Sequence, residues 1–301
     1  MRKTTVWLML TLCNLFWAGN YVFGKYVVTQ LTPLSMTFVR WLFACLLLFP
    51  IAHFMERPDW RKAFKSWPLL LPMGILGYIG YNMILYTSLH FTSSTNAALV
   101  SALNPGMIVI LSAIVLRESI SGWRRLGIVV SLLGVITTLT GGHLLSIFKI
   151  HYNTGDLLML GAITVWAIYS LIAKRLKEIK PITATAIAGL FAVMLLTPFV
   201  LIQGIDLSGV EPMAFVGMAY IVLFPSVGSF IFWNMSVMEI GASRAGVFMN
   251  LVPVFTALIS VLLGAELVWS QIVGGLLVMT GVYLTTGMFE QKFIQKQAQN
   301  I

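Results

Sequence analysis

Charge is scarce in this chain, and acidic charge is scarcest: 10 Asp and Glu stand against 19 Lys and Arg, together 10% of 301 residues. A soluble domain carries about 25% charged residues, so an ordinary water-facing surface is excluded. Cysteine is rarer still. Cys13 and Cys45 both fall inside apolar runs, which excludes a disulfide framework and a cysteine metal cluster. The four histidines, His53, His90, His143 and His151, all lie near polar gaps, and no Asp or Glu sits in the middle of an apolar run. An intramembrane enzyme needs a nucleophile with its base, a carboxylate pair or metal ligands at membrane depth. No enzyme, metal or cofactor is therefore expected. Long polar stretches are lacking too: the longest are 56–66, 142–156 and the tail after Phe289.

What remains is apolar: 58% of residues, with a mean hydropathy of +0.91. Apolar stretches of about 17–25 residues follow one another, the length needed to cross a hydrocarbon core about 30 Å thick. A closed barrel would require apolar/polar alternation, and these runs do not alternate. Helices are expected at about 5–27, 34–55, 67–89, 95–116, 123–141, 157–174, 181–203, 213–237, 245–265 and 271–289. Met1-Arg2-Lys3 ahead of the first run resembles a signal-peptide start. The run continues to Val28 without a small-residue cleavage site, so it is read as a retained first helix.

The basic excess has two readings, a nucleic-acid face or a membrane orientation signal. Its placement favours orientation. With a cytoplasmic N-terminus, ten spans put 16 of the 19 basic residues on the inner side, leave Lys25 and Lys149 outside, and bury Arg40 within a span. That asymmetry orients membrane proteins. Both termini are expected in the cytoplasm, the chain in the cell (inner) membrane as a multi-pass protein, and no nucleic-acid partner.

The chain also repeats. An offset of about 148 residues aligns Trp17-Ala18 and Lys25 with Trp166-Ala167 and Lys174, Pro33 and Pro50 with Pro181 and Pro198, and Thr37 with Thr185. It continues through Gly80, Ser88, Ala97, Pro105 and Glu118, which match Gly228, Ser236, Ala245, Pro253 and Glu266. Matched leucines mean little in apolar segments, whereas matched Trp, Pro, Gly and Glu at one offset are hard to obtain by chance. Each half holds five spans, an odd number, so the second half enters from the opposite side. The expected fold class is all-α integral membrane, ten transmembrane helices in two inverted five-helix repeats. The boundaries are 1–141 for the first repeat, 142–156 for an extracytoplasmic linker, 157–289 for the second repeat and 290–301 for a cytoplasmic tail. Inverted repeats of this kind place a transport site at their interface near the midplane. A membrane receptor or scaffold is the alternative that composition leaves open, and the repeat argues against it.

The residues themselves carry a resemblance. The stretch Phe16–Lys25 (FWAGNYVFGK), the run Phe38-Val39-Arg40-Trp41, Leu85–Pro105 (LYTSLHFTSSTNAALVSALNP), and the later Glu118, Gly127 and Gly134 resemble the drug/metabolite transporter superfamily. Within it, the chain is most similar to the ten-helix EamA-type transporters. The resemblance implies alternating access around a central cavity and export of amino acids, their derivatives or other small metabolites. The partners it implies are a small-molecule substrate and the lipid bilayer. Proton coupling, and a monomer or a homodimer, are left open.

Within the spans, Arg40 is the lone deep charge. An intramembrane ionisable residue suggests a site, here a guanidinium for a substrate carboxylate, with snorkelling as the alternative. Pro105 and Pro253 occupy matching places in the fourth and ninth spans, where each removes a helical amide, and both are read as hinges. Asn104 and Asn250 supply polar groups beside them. Helical spacing gathers further stripes: Trp17 with Asn20 close by, Tyr78, Asn82 and Tyr86, Trp166 and Tyr169, and Ser229 and Trp233. Together with Arg40 these residues form the expected cavity.

Overall fold

The computed structural model describes residues 3–116, 121–143, 153–173, 176, 178–240 and 247–285. Most of the expected linker 142–156, the tail 290–301 and Glu118 lie outside them. Among the described residues all regular structure is helical. Hydrocarbon offers backbone amides no partner, and a helix satisfies each within its own segment. The first two helices, α1 (Lys3–Val27) and α2 (Pro33–Glu56), are long and apolar. At 25 residues α1 reaches about 37 Å. Among the described residues six helical stretches are long and apolar enough to cross a membrane: Thr4–Val27, Pro33–Glu56, Trp67–Phe91, Thr154–Ala173, Pro181–Gln203 and Pro212–Trp233. Their outer faces carry exposed Leu46, Phe54, Leu201 and Ile202. Water-facing surfaces rarely show such continuous apolar area.

Several of the expected spans, two of these six included, are interrupted. After the short α3 (Trp60–Lys65), the third run comprises α4 (Trp67–Met73), a π-helical stretch Gly74–Gly80, and α5 (Tyr81–Phe91). The expected continuous helix over 95–116 is broken into α6 (Ser94–Ser101) and α7 (Asn104–Leu116). Pro105 lacks the N–H that would carry α6 onward. The chain turns through Ala102–Leu103, and α7 resumes with Met107 N donating to Leu103 O at 2.9 Å. Then come α8 (Gly122–Leu139), α9 (Thr154–Ala173) and α10 (Pro181–Gln203). The eighth run repeats the form of the third: α11 (Pro212–Ile221), a π-helical stretch Val222–Gly228 and α12 (Ser229–Ile240). In the region expected as one helix over 245–265, a 3-10 helix Val247–Asn250 precedes α13 (Leu251–Leu262). The last described helix is α14 (Trp269–Thr285). The two π-stretches lie 148 residues apart at both ends, the offset at which the sequence repeats. Wide turns of this type commonly mark functional positions in helices.

Packing follows the same correspondence. The most extensive contacts join α8 with α14 and α2 with α10, two pairs of matching runs. Likewise α5 meets α9 while α12 meets α1, and α7 meets α9 while α13 meets α1. Backbones touch where α8 meets α14: a Cβ on Gly134 would lie 2.6 Å from Gly274 O, so only glycine permits this approach. The α2–α10 pair is fastened at both ends. At one, Glu56 accepts from Ile182 N (3.0 Å), Thr183 N (2.7 Å) and Thr183 Oγ1 (2.6 Å), and Lys180 Nζ donates to Glu56 O. At the other, Gln203 Nε2 donates to Thr32 Oγ1 at 3.2 Å. The site therefore sits beside a braced helix pair.

Candidate substrate cavity

Arg40 lies on α2, seven residues after Pro33, about 10 Å into the helix. It is 4% exposed. Its Nε donates to Ser226 Oγ at 2.7 Å, and Nη1 reaches Asn82 Oδ1 at 2.8 Å, Tyr86 OH at 2.8 Å and Asn20 Oδ1 at 3.3 Å. Tyr86 OH in turn donates to Asn20 Oδ1 at 3.1 Å. The guanidinium also lies 5.5 Å from the Trp41 ring centroid, within cation–π range. Every one of these partners is neutral. Among the described residues no carboxylate pairs with Arg40, and no hydrogen bond engages its Nη2.

The π-stretches explain how these partners are held. A wide turn leaves carbonyls short of their usual helical donors, and polar side chains fill in. Asn82 Nδ2 donates to Tyr78 O at 2.8 Å, which turns its Oδ1 toward Arg40. Ser226 Oγ donates to Ile221 O at 2.7 Å, five residues back, and accepts from Arg40. One guanidinium thus ties together α1, α2, α5 and the second π-stretch.

Beside it opens a cavity of about 50 Å³, lined by Trp17, Asn20, Tyr21, Arg40, Trp41, Gly77, Tyr81, Asn82, Ser101, Asn104, Trp166, Phe230, Met249 and Val252. At one probe sphere per water this is room for about four waters. Aromatic walls with a few polar groups are the usual make-up of a small-molecule site. Tyr21 and Tyr81 share a hydrogen bond between hydroxyls at 3.1 Å, and Ser101 Oγ donates to Ala98 O at 2.7 Å. Two buried polar atoms on residues of this wall have no partner, Trp41 Nε1 and Asn104 Oδ1.

Of the residues expected to form the cavity, Trp17, Asn20, Arg40, Asn82, Asn104 and Trp166 lie on its wall. Tyr86 stands one layer back, holding Arg40. Tyr78 packs edge-on against Trp41 at 4.1 Å, and Tyr169 lies tilted against Trp166 at 5.0 Å behind the wall. Ser229 bonds the Cys13 carbonyl at 3.0 Å, and Trp233 meets Trp17 at 5.5 Å, so neither lines the cavity. The Asn250 side chain lies outside the described residues. Pro105 and Pro253 follow directly on the interruptions before α7 and α13. Sequence reading placed Trp41 only in the family-like run Phe38-Val39-Arg40-Trp41, and did not single out Gly77, Phe230 or Val252. Trp41 and Phe230 each carry a signal, since they adjoin the one deep charge and an expected site serine.

The sequence profile of the EamA-like transporter family matches residues 4–140 and 153–287. An uncharacterized transporter of Bacillus subtilis, YyaM, is 29% identical over 292 residues, covering 96% of this chain and 95% of that one. An uncharacterized transporter of Archaeoglobus fulgidus is 30% identical over 284 residues, covering 92% of this chain and 97% of that one. A solved crystal structure superposes with a TM-score of 0.68 at 18% identity, over 95% of this chain and 97% of its own, a likeness of fold alone. With both halves matched and full-length relatives named as transporters, this multi-pass helical membrane chain belongs to the EamA-like transporter family.

Proposed function

We propose that the protein is a secondary transporter that exports a small metabolite, an amino acid or a derivative, by alternating access through the Arg40 cavity. The carrying observation is the electrostatics of Arg40: a buried full charge is held by four neutral acceptors, and Nη2 has no partner among the described residues. Neutral acceptors orient a cation without cancelling its charge. A carboxylate arriving with the substrate would supply both the missing charge and a planar partner for the fork. Its amino group would meet aromatic faces such as Trp17.

The architecture assumed is ten spans in two inverted repeats, 1–141 and 157–289, in the inner membrane with both termini cytoplasmic. The matched π-stretches, the matched helix pairs and the paired family matches support this reading. A 50 Å³ cavity admits few atoms, so the described state is read as nearly closed around the site. Opening would proceed at the interruptions beside Pro105 and Pro253, alternately toward each side.

The same four hydrogen bonds favour a second reading, in which Arg40 only braces helices α1, α2 and α5. Export is tested by profiling the medium of overexpressing and deletion cells, followed by uptake into everted vesicles. Extracellular enrichment of carboxylate-bearing metabolites upon overexpression, with matching vesicle uptake, is expected. An unchanged medium and silent vesicles would refute the transporter reading, and enrichment of cations alone would refute the anion site.

A further inference from the structure

Most polar side chains on the cavity wall are already engaged. Asn82 uses both ends of its amide, the Tyr21 and Tyr81 hydroxyls bond each other, and Ser101 bonds its own helix. Asn104 Oδ1 and Trp41 Nε1 stand apart. Asn104 is 3% exposed, Trp41 is fully buried, and neither atom has a hydrogen-bond partner. Buried donors and acceptors give up their hydration and nearly always find a partner in the finished structure. Asn14 Oδ1, Tyr78 OH and Ser236 Oγ are also unpaired, but those residues do not line the cavity, Tyr78 standing behind Trp41. Both unpaired atoms belong to residues of the cavity wall and are closed off in this state; one is a donor and one an acceptor, the complement of a molecule that carries both and reaches them when the site opens.

Resting on the reading that this cavity holds the transported molecule, we infer that Asn104 is a specificity-determining residue. Its Oδ1 accepts a hydrogen bond from an N–H or O–H of the substrate, while Trp41 Nε1 donates to an acceptor on the same molecule. The substrate class narrows accordingly. It is a small organic anion with a donor group beyond its carboxylate, an amino or hydroxy acid rather than a plain carboxylic acid. A plain acid satisfies Arg40 and strands Asn104, and a site built to hydrogen-bond a group rejects the analogue that lacks it. Asn104 also opens α7 just after the Ala102–Leu103 break, so the same contact reports the substrate's presence to that break.

The test uses the full chain in everted vesicles, offered a labelled mixture of amino acids, the matching 2-hydroxy acids and the matching plain carboxylic acids. Wild type should concentrate amino or hydroxy acids in preference to plain acids. Asn104→Leu, at matched abundance, should lose at least about tenfold of that preference. Purified, ligand-free Asn104→Leu should unfold at or above the wild-type temperature, because leucine fills similar space without a stranded amide. Equal wild-type uptake of plain acids, equal loss of every class in the variant, or a melting temperature lower by more than about 4 °C would each overturn the assignment. If wild-type vesicles concentrate none of the three classes, the anion-transport reading itself fails, and Asn104 falls with it.

Discussion

Glu56 offers a quantitative test of how the two halves are joined. α10 begins with Pro181 at its first position, and its N-cap, Lys180, provides no side-chain cap. The first amides of a helix have no partner within it. Here the missing cap comes from another helix: the Glu56 carboxylate, at the end of α2, takes the Ile182 and Thr183 amides and the Thr183 hydroxyl. An N-cap is worth about 0.5–2 kcal/mol, and a carboxylate also favours the positive end of a helix by about 0.3–1 kcal/mol. Partial solvent access lowers the sum, so Glu56→Ala should cost about 1.5–2.5 kcal/mol. For a chain of 301 residues that is a fall in melting temperature of about 2–4 °C. Glu56→Gln keeps one acceptor oxygen and loses the charge, and should fall about half as far. Intrinsic tryptophan fluorescence of detergent-solubilised protein during heating reads both. A change below about 1 °C for Glu56→Ala, or equal losses for Ala and Gln, would show that the carboxylate does not cap α10.

Two further outcomes follow from the interruptions and from the charge pattern. Pro105→Ala or Pro253→Ala restores a helical amide beside a break, and should slow vesicle transport more than it weakens substrate binding; near-wild-type rates for both would reduce the prolines to packing. In a variant lacking Cys13 and Cys45, single cysteines at Asn153 and Gly209 should react with an impermeant thiol reagent added to intact cells. A cysteine at Lys62 should not, and its labelling from outside would reverse the orientation read from basic residues.

Much of the fold was legible because hydrocarbon imposes length and apolarity on every crossing segment. The six long apolar helices fall where the runs predicted them. The interruptions were legible only in part. Pro105 marked the place, but the Ala102–Leu103 turn, which divides one expected helix into two, depends on tertiary packing. The π-stretches were not foreseen, and they bear on where Tyr78, Ser229 and Trp233 lie. Tyr78, Asn82 and Tyr86 share one stripe on a regular helix. The wide turn over Gly74–Gly80 shifts that register, leaving Tyr78 against Trp41 while Asn82 and Tyr86 hold Arg40. Ser229 and Trp233 follow the second π-stretch and are displaced from the wall in the same manner. Arg40, Asn20 and Asn104 were legible because a polar side chain inside an apolar run is costly and stands out from its neighbours. Glu56 was not, since its partners lie 126 and 127 residues away and nothing in local spacing connects them.

The central claim, that Arg40 receives the substrate's carboxylate, is tested most directly by uptake of amino acids and their amides in wild type, Arg40→Lys and Arg40→Gln. Lysine keeps the charge but loses the planar fork, and glutamine loses the charge as well. A charge-assisted hydrogen bond contributes about 1.5–3 kcal/mol, which corresponds to about 10–150-fold in affinity. Affinity for the acids should therefore fall in the order Arg, Lys, Gln at unchanged abundance, while the amides should bind weakly and alike in all three proteins. Equal losses for acid and amide, or loss of the folded protein in both variants, would contradict the account and leave Arg40 as a brace between helices.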